Sequence, residues 1–282
     1  MSSVINSHPI KKPKTCNIKG KKKGKKKGKK KQSMEQCFVN KMLKTNFNFI
    51  IQNIQRLNPH IQQNIINKLI HNTTFNNNGN IQDLNLNDLE LNQLPDDCWD
   101  LEIEGNVNLS CNNLETLPYG FEKIKIKGSL NCSINKIQSL NDLFHKTSVR
   151  TDIDLSKNNL SEFPKSFSKL IVRGNLDLSN NTLENDALEN IPSVIIGSFI
   201  INNNIKLTSL PHTYLKMIIG KNFEFCGCNI NEIIKPKPKI DNFSENDDSS
   251  KNNDFIFIGD KIICDNNFKL NHITKKDFQS LM

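Results

Sequence analysis

No stretch of this chain approaches the ~20 consecutive apolar residues that cross a bilayer as a helix, so no membrane span is expected. The first thirty residues also lack the apolar run of a cleavable signal peptide, and a secreted protein is not expected. Aromatic residues with a polar edge are scarce, with one tryptophan and two tyrosines. The six histidines (His8, His60, His71, His145, His212, His272) are scattered, and none stands at metal-ligand spacing to another histidine or to paired cysteines. Neither phosphate-cradling glycine motif occurs, neither G-x-x-x-x-G-K-S/T nor G-x-G-x-x-G. The expectation is a chain with no catalytic residues, no metal site and no cofactor.

Acidic residues are missing from one place in particular. Residues 1–32 hold 13 lysines and no Asp or Glu, while the whole chain carries +9, so the remainder is mildly acidic at −4. The basic run is KKKGKKKGKKK, with Lys21, Lys22, Lys23, Lys25, Lys26, Lys27, Lys29, Lys30 and Lys31. A block of like charge with interleaved glycines has no face to bury, and a disordered tail over 1–33 is expected. Such a tail suits a targeting signal or salt-sensitive contact with nucleic acid or an anionic surface. It lacks the interleaved aromatics on which bases stack.

What the chain does have is a repeat. Segments begin at Leu84, Val107, Leu130, Ile153, Leu176, Phe199 and Phe223, separated by five steps of 23 residues and one of 24. The clearest copies read GNVNLSCNNLETLP (105–118), TDIDLSKNNLSEFP (151–164) and GNLDLSNNTLEN (174–185). A fixed period of this length marks a solenoid whose units bury one face against their neighbours. Within a copy, alternate residues such as Ile103, Gly105, Val107 and Leu109 share one parity, the signal of a strand with one face inward. Glycine two residues before the strand (Gly105, Gly128, Gly174, Gly197) predicts close stacking or a bend. An asparagine recurs at Asn112, Asn135, Asn158, Asn181 and Asn204, where the chain must turn sharply. A buried turn leaves backbone N–H and C=O groups without partners, and an amide that both donates and accepts satisfies them in successive coils. Cys228 occupies that slot in the last regular copy, and Leu89 in the first, which is therefore expected to be irregular.

The spacing of these residues resembles the leucine-rich repeat pattern L-x-L-x-x-N/C-x-L over about residues 81–235. The heavy use of Asn, Ile and Lys is similar to leucine-rich repeat proteins of giant viruses that infect amoebae, and slime-mould proteins share it. The resemblance implies an α/β solenoid with a parallel sheet on its concave face. The expected organisation is a tail over 1–33, a helical cap over 34–80, the solenoid over 81–235, a disordered inserted loop over 236–254, and an eighth repeat with a C-terminal cap over 255–282. In the eighth copy Ile262 and Cys264 take the strand slots and Asn267 the asparagine slot.

In the helical segment, Asn58 is placed to cap a helix that Pro59 begins, and Ile61, Ile65, Ile66, Leu69 and Ile70 form its apolar stripe. An earlier helix carries Phe47, Ile50, Ile51 and Ile54. Such helices cover the open edge of a solenoid; the competing reading is an F-box-like segment docking a ubiquitin-ligase subunit. The eight cysteines are read as structural thiols of a reducing, intracellular setting, which for a viral protein is the host cytoplasm or nucleus. Among them Cys132 and Cys264 occupy inward strand slots. Binding is assigned to the outward columns of the concave sheet: Asn108, Asn131, Asp154, Asp177, Ile200 and Glu224, with Asp152 beside them and Arg150 and Arg173 at the rim. The partner expected there is an unidentified protein.

Overall fold

In a computed structural model, residues 47–211, 217–230, 232–233 and 257–264 are described. They all fall in one compact unit. The lysine run, the segment 236–254, Asn267 and the C-terminal residues that follow fall outside the described residues.

The architecture is mixed α/β, with few helices and an open, mostly parallel sheet. Among the described residues nine short strands run side by side. The first pair, Thr74–Phe75 with Ile81–Asn85, is antiparallel; every later pairing is parallel. Leu84 pairs with Val107, Val107 with Leu130, Leu130 with Ile153, Ile153 with Leu176, Leu176 with Phe199, and Phe199 with Phe223. These are the partners that the repeat spacing predicts. Phe223 pairs in turn with Ile262, the first strand slot of the eighth copy. Among the described residues no helix is long and apolar enough to cross a membrane.

The expected single strand from Ile103 to Leu109 is two strands separated by a bend. Glu102–Ile103 joins a smaller sheet with Lys125–Ile126 and Ser148–Val149, and Val107–Asn108 joins the main one. The ladder breaks between them because the Asn106 N–H donates to the Asp83 side chain (2.8 Å) instead of a strand carbonyl. Further along, Val194–Ile195, Ile218–Ile219 and Phe257–Ile258 form an equivalent small sheet.

At the bend the coils touch backbone to backbone. A Cβ added to Gly197 would lie 2.4 Å from the Gly174 carbonyl carbon, closer than any real contact. The glycine slot is thus a matter of close approach. Where Thr151 and Lys221 stand instead, the N–H to carbonyl distance to the previous coil is 3.3 and 3.1 Å, against 2.9 Å at Gly197. The stack therefore yields a little when a side chain intrudes. Gly197→Ala should cost about 1–3 kcal/mol through that forced displacement, read from a urea melt.

The asparagine column behaves as expected. Asn112 Nδ2 donates to the carbonyls of Leu86 in the previous coil (2.8 Å) and Leu109 in its own (2.9 Å), while its Oδ1 accepts the N–H groups of Leu89 and Leu91 (3.1 and 3.0 Å). Asn135, Asn158, Asn181 and Asn204 repeat the arrangement and are all buried. Cys228 keeps one strand of it, its Sγ–H reaching the Ile201 carbonyl at 3.1 Å. Just before each column residue the backbone turns left-handed, at Cys111, Ile134, Lys157, Asn180, Asn203 and Gly227. Ile134 is the misfit, because a β-branched side chain clashes with its own backbone at φ 54°. Ile134→Asn, the residue of two later coils at this slot, should raise stability by about 1 kcal/mol in thermal or urea unfolding.

The first coil is irregular, with left-handed residues at both Asp88 and Glu90 around Leu89. Helical residues 47–57 and Gln63–Asn72 cover it, and Phe47, Ile50, Ile51, Ile54, Ile66 and Leu69 enter the same core as the coils. Asn58 does not cap the second helix, whose N-cap is Gln62. It is buried behind the first helix, donating to the Ile54 and Gln93 carbonyls (both 2.9 Å) and accepting from the Asn92 N–H (2.8 Å). An amide that can bond three ways serves better as a rivet between helix and coil than as a solvent-facing cap. The apolar stripe is narrower than its spacing implies: Ile70 is 43% exposed, and Ile61 and Ile65 are half-buried. Cys132 is fully buried, whereas Cys264, at the end of the last described coil, is exposed.

Behind the sheet, four successive turn segments each insert an aromatic residue, and the next, Asn185–Asn190, inserts Ala187 and Leu188 instead. Trp99, Phe121, Phe144 and Phe167 are buried, with ring centroids 5.0 Å apart for Trp99 and Phe121 and 6.1 Å for Phe144 and Phe167. The last three rings stand 23 residues apart, a second register that the strand slots do not reveal.

Candidate functional site

Across the main sheet, the position just after the inward strand residue reads Asn108, Asn131, Asp154, Asp177, Ile200 and Glu224, and all six are half-buried. The first four do local work. Each Oδ1 accepts the backbone N–H two residues on: Ser110 (3.0 Å), Ser133 (2.9 Å), Ser156 (2.9 Å) and Ser179 (2.8 Å). This closes the turn that leaves the strand, as Asn and Asp side chains commonly do. The signal was present as Asx-x-Ser in four consecutive copies. Beyond Asp177 the pattern stops: Ile200 and Glu224 cannot repeat the short-armed turn, and the column passes from turn-forming to apolar and long-armed residues.

Two residues before that position, a second column runs Asp83, Asn106, Ser129, Asp152, Asn175, Ser198 and Asn222. Here the side-chain oxygen of one coil accepts the backbone N–H of the next. Asn106 accepts from Ser129 (2.9 Å), Asp152 from Asn175 (2.7 Å) and Asn175 from Ser198 (2.7 Å). Asp152 also takes a longer bond from Ser129 Oγ at 3.4 Å. Its carboxylate is engaged in joining coils. Asp83 starts the relay, and it was not singled out from the sequence because the first coil departs from the repeat.

At the rim, Lys127 Nζ lies 2.8 Å from carboxylate oxygens of both Glu102 and Glu104. The hydrogen bond and charge of Lys127 hold the Glu102 carboxyl below its ordinary range, and the same bonds raise Lys127. These groups are solvated, so the cluster contributes little to stability. Arg150 and Arg173 are exposed and form no ion pair among the described residues.

The structure thus sets Asp154 beside Asp177 in register on adjacent strands, with Glu224 two strands further on, beyond Ile200. Burial pushes the Asp177 carboxyl above the ordinary range; the nearby charges of Asp154 and Glu224 add to that, and hydrogen bonds from Ser179 partly offset it. An acid raised in the folded state binds its proton there when the unfolded chain has already released it. Stability therefore falls as pH rises from the usual carboxylate range, ~3.9, through the raised value. Asp177→Asn keeps the turn acceptor and removes the charge. Its melting temperature should exceed that of the unsubstituted protein at neutral pH, with the difference shrinking towards acid.

Burial also lifts the thiol of Cys98 to about 12 and that of Cys228 to about 11, and raises Cys132 as well, so these are packed sulfhydryls and poor nucleophiles. Elsewhere a polar cleft of about 700 Å³ is lined by Asp96, Glu115, Tyr119, Lys136 and Asp142. It opens broadly to solvent, and Asp96 Oδ1 is occupied by the Tyr119 N–H at 2.9 Å. Among the described residues no group of His, Cys, Asp and Glu could hold a metal ion. No protein-family model matches the chain, and no curated protein matches it either.

Proposed function

We propose that the chain is a leucine-rich repeat protein that acts without catalysis, binding another protein across the face that such repeats leave concave. The observation that carries this reading is the alignment of equivalent outward residues on adjacent parallel strands, Asn108 through Glu224, in one unbroken register. A repeat scaffold of this kind offers an extended surface in which each coil contributes the same few positions. The acidic run Asp154, Asp177 and Glu224, with Ile200 between, supplies charge for orientation and an apolar point for contact. Its desolvated member, Asp177, would gain from a cation brought by the partner.

The helical residues favour a cap over an adaptor, because Asn58 and the buried isoleucines spend their bonding and packing capacity on the first coil. A nuclear address or nucleic-acid contact for the lysine run is a separate property of residues outside the described part.

The test uses the double substitution Asp154→Asn, Asp177→Asn. Asparagine stands at the same slot in the second and third coils, so the turns survive. A partner recovered by affinity purification with the full chain should bind the variant at least about tenfold more weakly in titration calorimetry. Equal affinity, with circular dichroism showing the variant folded, would remove this face from the interaction.

A further inference from the structure

A different surface, on the small sheets beside the main one, changes character halfway along the stack. The residue five before each main strand reads Glu102, Lys125 and Ser148 in successive coils, then Ile171, Val194 and Ile218. The residue two further on reads Glu104, Lys127, Arg150 and Arg173, then Ile196. These positions are outward-facing throughout: in every coil the intervening residue, from Ile103 to Ile219, is the buried one. The aliphatic members are correspondingly open, Ile171 at 64%, Val194 at 43%, Ile196 at 53% and Ile218 at 47%.

Single exposed apolar residues need no explanation, but these four are contiguous. Val194 pairs with Ile218, and Val172 bridges to Ile195, so Ile171, Val194 and Ile218 stand side by side on neighbouring coils about 4.8 Å apart. Arg173 lies two residues after Ile171 and one coil before Ile196, at the border of the strip, and Arg150 follows in the adjacent coil. Earlier in the stack the cation at this position, Lys127, is clamped by two glutamates; among the described residues Arg150 and Arg173 form no close ion pair, although the charge of Arg150 acts on Glu102. Solvation alone would be served by the charged residues that fill the same slots in earlier coils.

We infer that the strip Ile171, Val194, Ile196 and Ile218, with Arg150 and Arg173 at its border, docks an extended segment of a partner protein that carries branched aliphatic residues and carboxylates. The apolar side chains cover the isoleucines, and the carboxylates take the two guanidiniums, which form planar two-point bonds with them. The surface is separate from the acidic face of the main sheet and does not depend on that reading.

A random twelve-residue peptide library displayed on phage, selected on the full chain, tests the assignment. The expected result is enrichment of peptides that combine aliphatic residues with Asp or Glu. A synthetic peptide of the selected sequence should bind at least about tenfold more weakly to Ile196→Asp and to Arg173→Glu, and equally well to the Asp154→Asn, Asp177→Asn double variant. Circular dichroism melts confirm that each variant folds. Failure to enrich, enrichment of basic peptides, or selected peptides indifferent to Ile196→Asp and Arg173→Glu overturns the assignment. So does a mass in sedimentation that doubles with concentration and returns to the monomer value in Ile196→Asp, since the strip would then pair two copies of this chain.

Discussion

Asn158→Ala is expected to destabilise the protein by about 3–5 kcal/mol in urea denaturation, although it removes only a small polar group. Asn158 Nδ2 donates to the Cys132, Leu155 and Ser156 carbonyls (3.0, 3.0 and 3.1 Å), and its Oδ1 accepts the Ile137 N–H (3.0 Å). All of these groups are interior, where an orphaned donor or acceptor loses its water without gaining a partner, at about 1–3 kcal/mol each. Their sum is reduced because a water can enter the vacated space and serve more than one of them. Asn158→Cys should cost less than alanine, since Cys228 already holds this slot with a single bond to the coil before it. Coil-to-coil coupling makes the middle of the stack the sensitive place. If the alanine variant unfolds within 1 kcal/mol of the parent, the column is decoration and the turns are held by their backbones.

Phe167→Ala should cost a similar amount, about 3–5 kcal/mol, for a different reason. Its ring is fully buried, stacked 4.4 Å from Phe163 and 6.1 Å from Phe144. Removing it leaves a cavity that a regular stack is poorly able to close, because each coil is held at fixed spacing by its neighbours. The Phe163→Ala, Phe167→Ala double-mutant cycle should show a coupling of about 0.5–1.5 kcal/mol beyond the separate losses. Additive single effects would mean that the two rings fill space independently.

Much of the fold was legible because the repeat reports on itself. Leu84 to Phe223 could be aligned without knowledge of any contact, and the strand partners followed. The amide column was equally plain: a polar residue recurring among aliphatics at a turn has few other uses. The local sequence points Asn58 to a cap on the helix after it, while its partners Asn92 and Gln93 lie some 34 residues away. Ile70 was misread because helical periodicity measures only which side chains share a face, and the coil beneath is narrower than the stripe. Cys264 carries the strand spacing and is nonetheless exposed.

The sequence identified which residues leave the core, and a surface that binds was a natural use for them. In three dimensions Asn108, Asn131, Asp154 and Asp177 close the turn at the end of their own strand, and Asp152 tethers the next coil. Repetition therefore specified the coil, its inward side chains and its neighbours, because identical units bury one another only in register. Which outward oxygens are already taken, and where an aliphatic strip meets exposed arginines, depended on distances between residues one coil apart. Hydrogen bonds and ion pairs form or fail over fractions of an ångström, and a period of 23 residues carries no information on that scale.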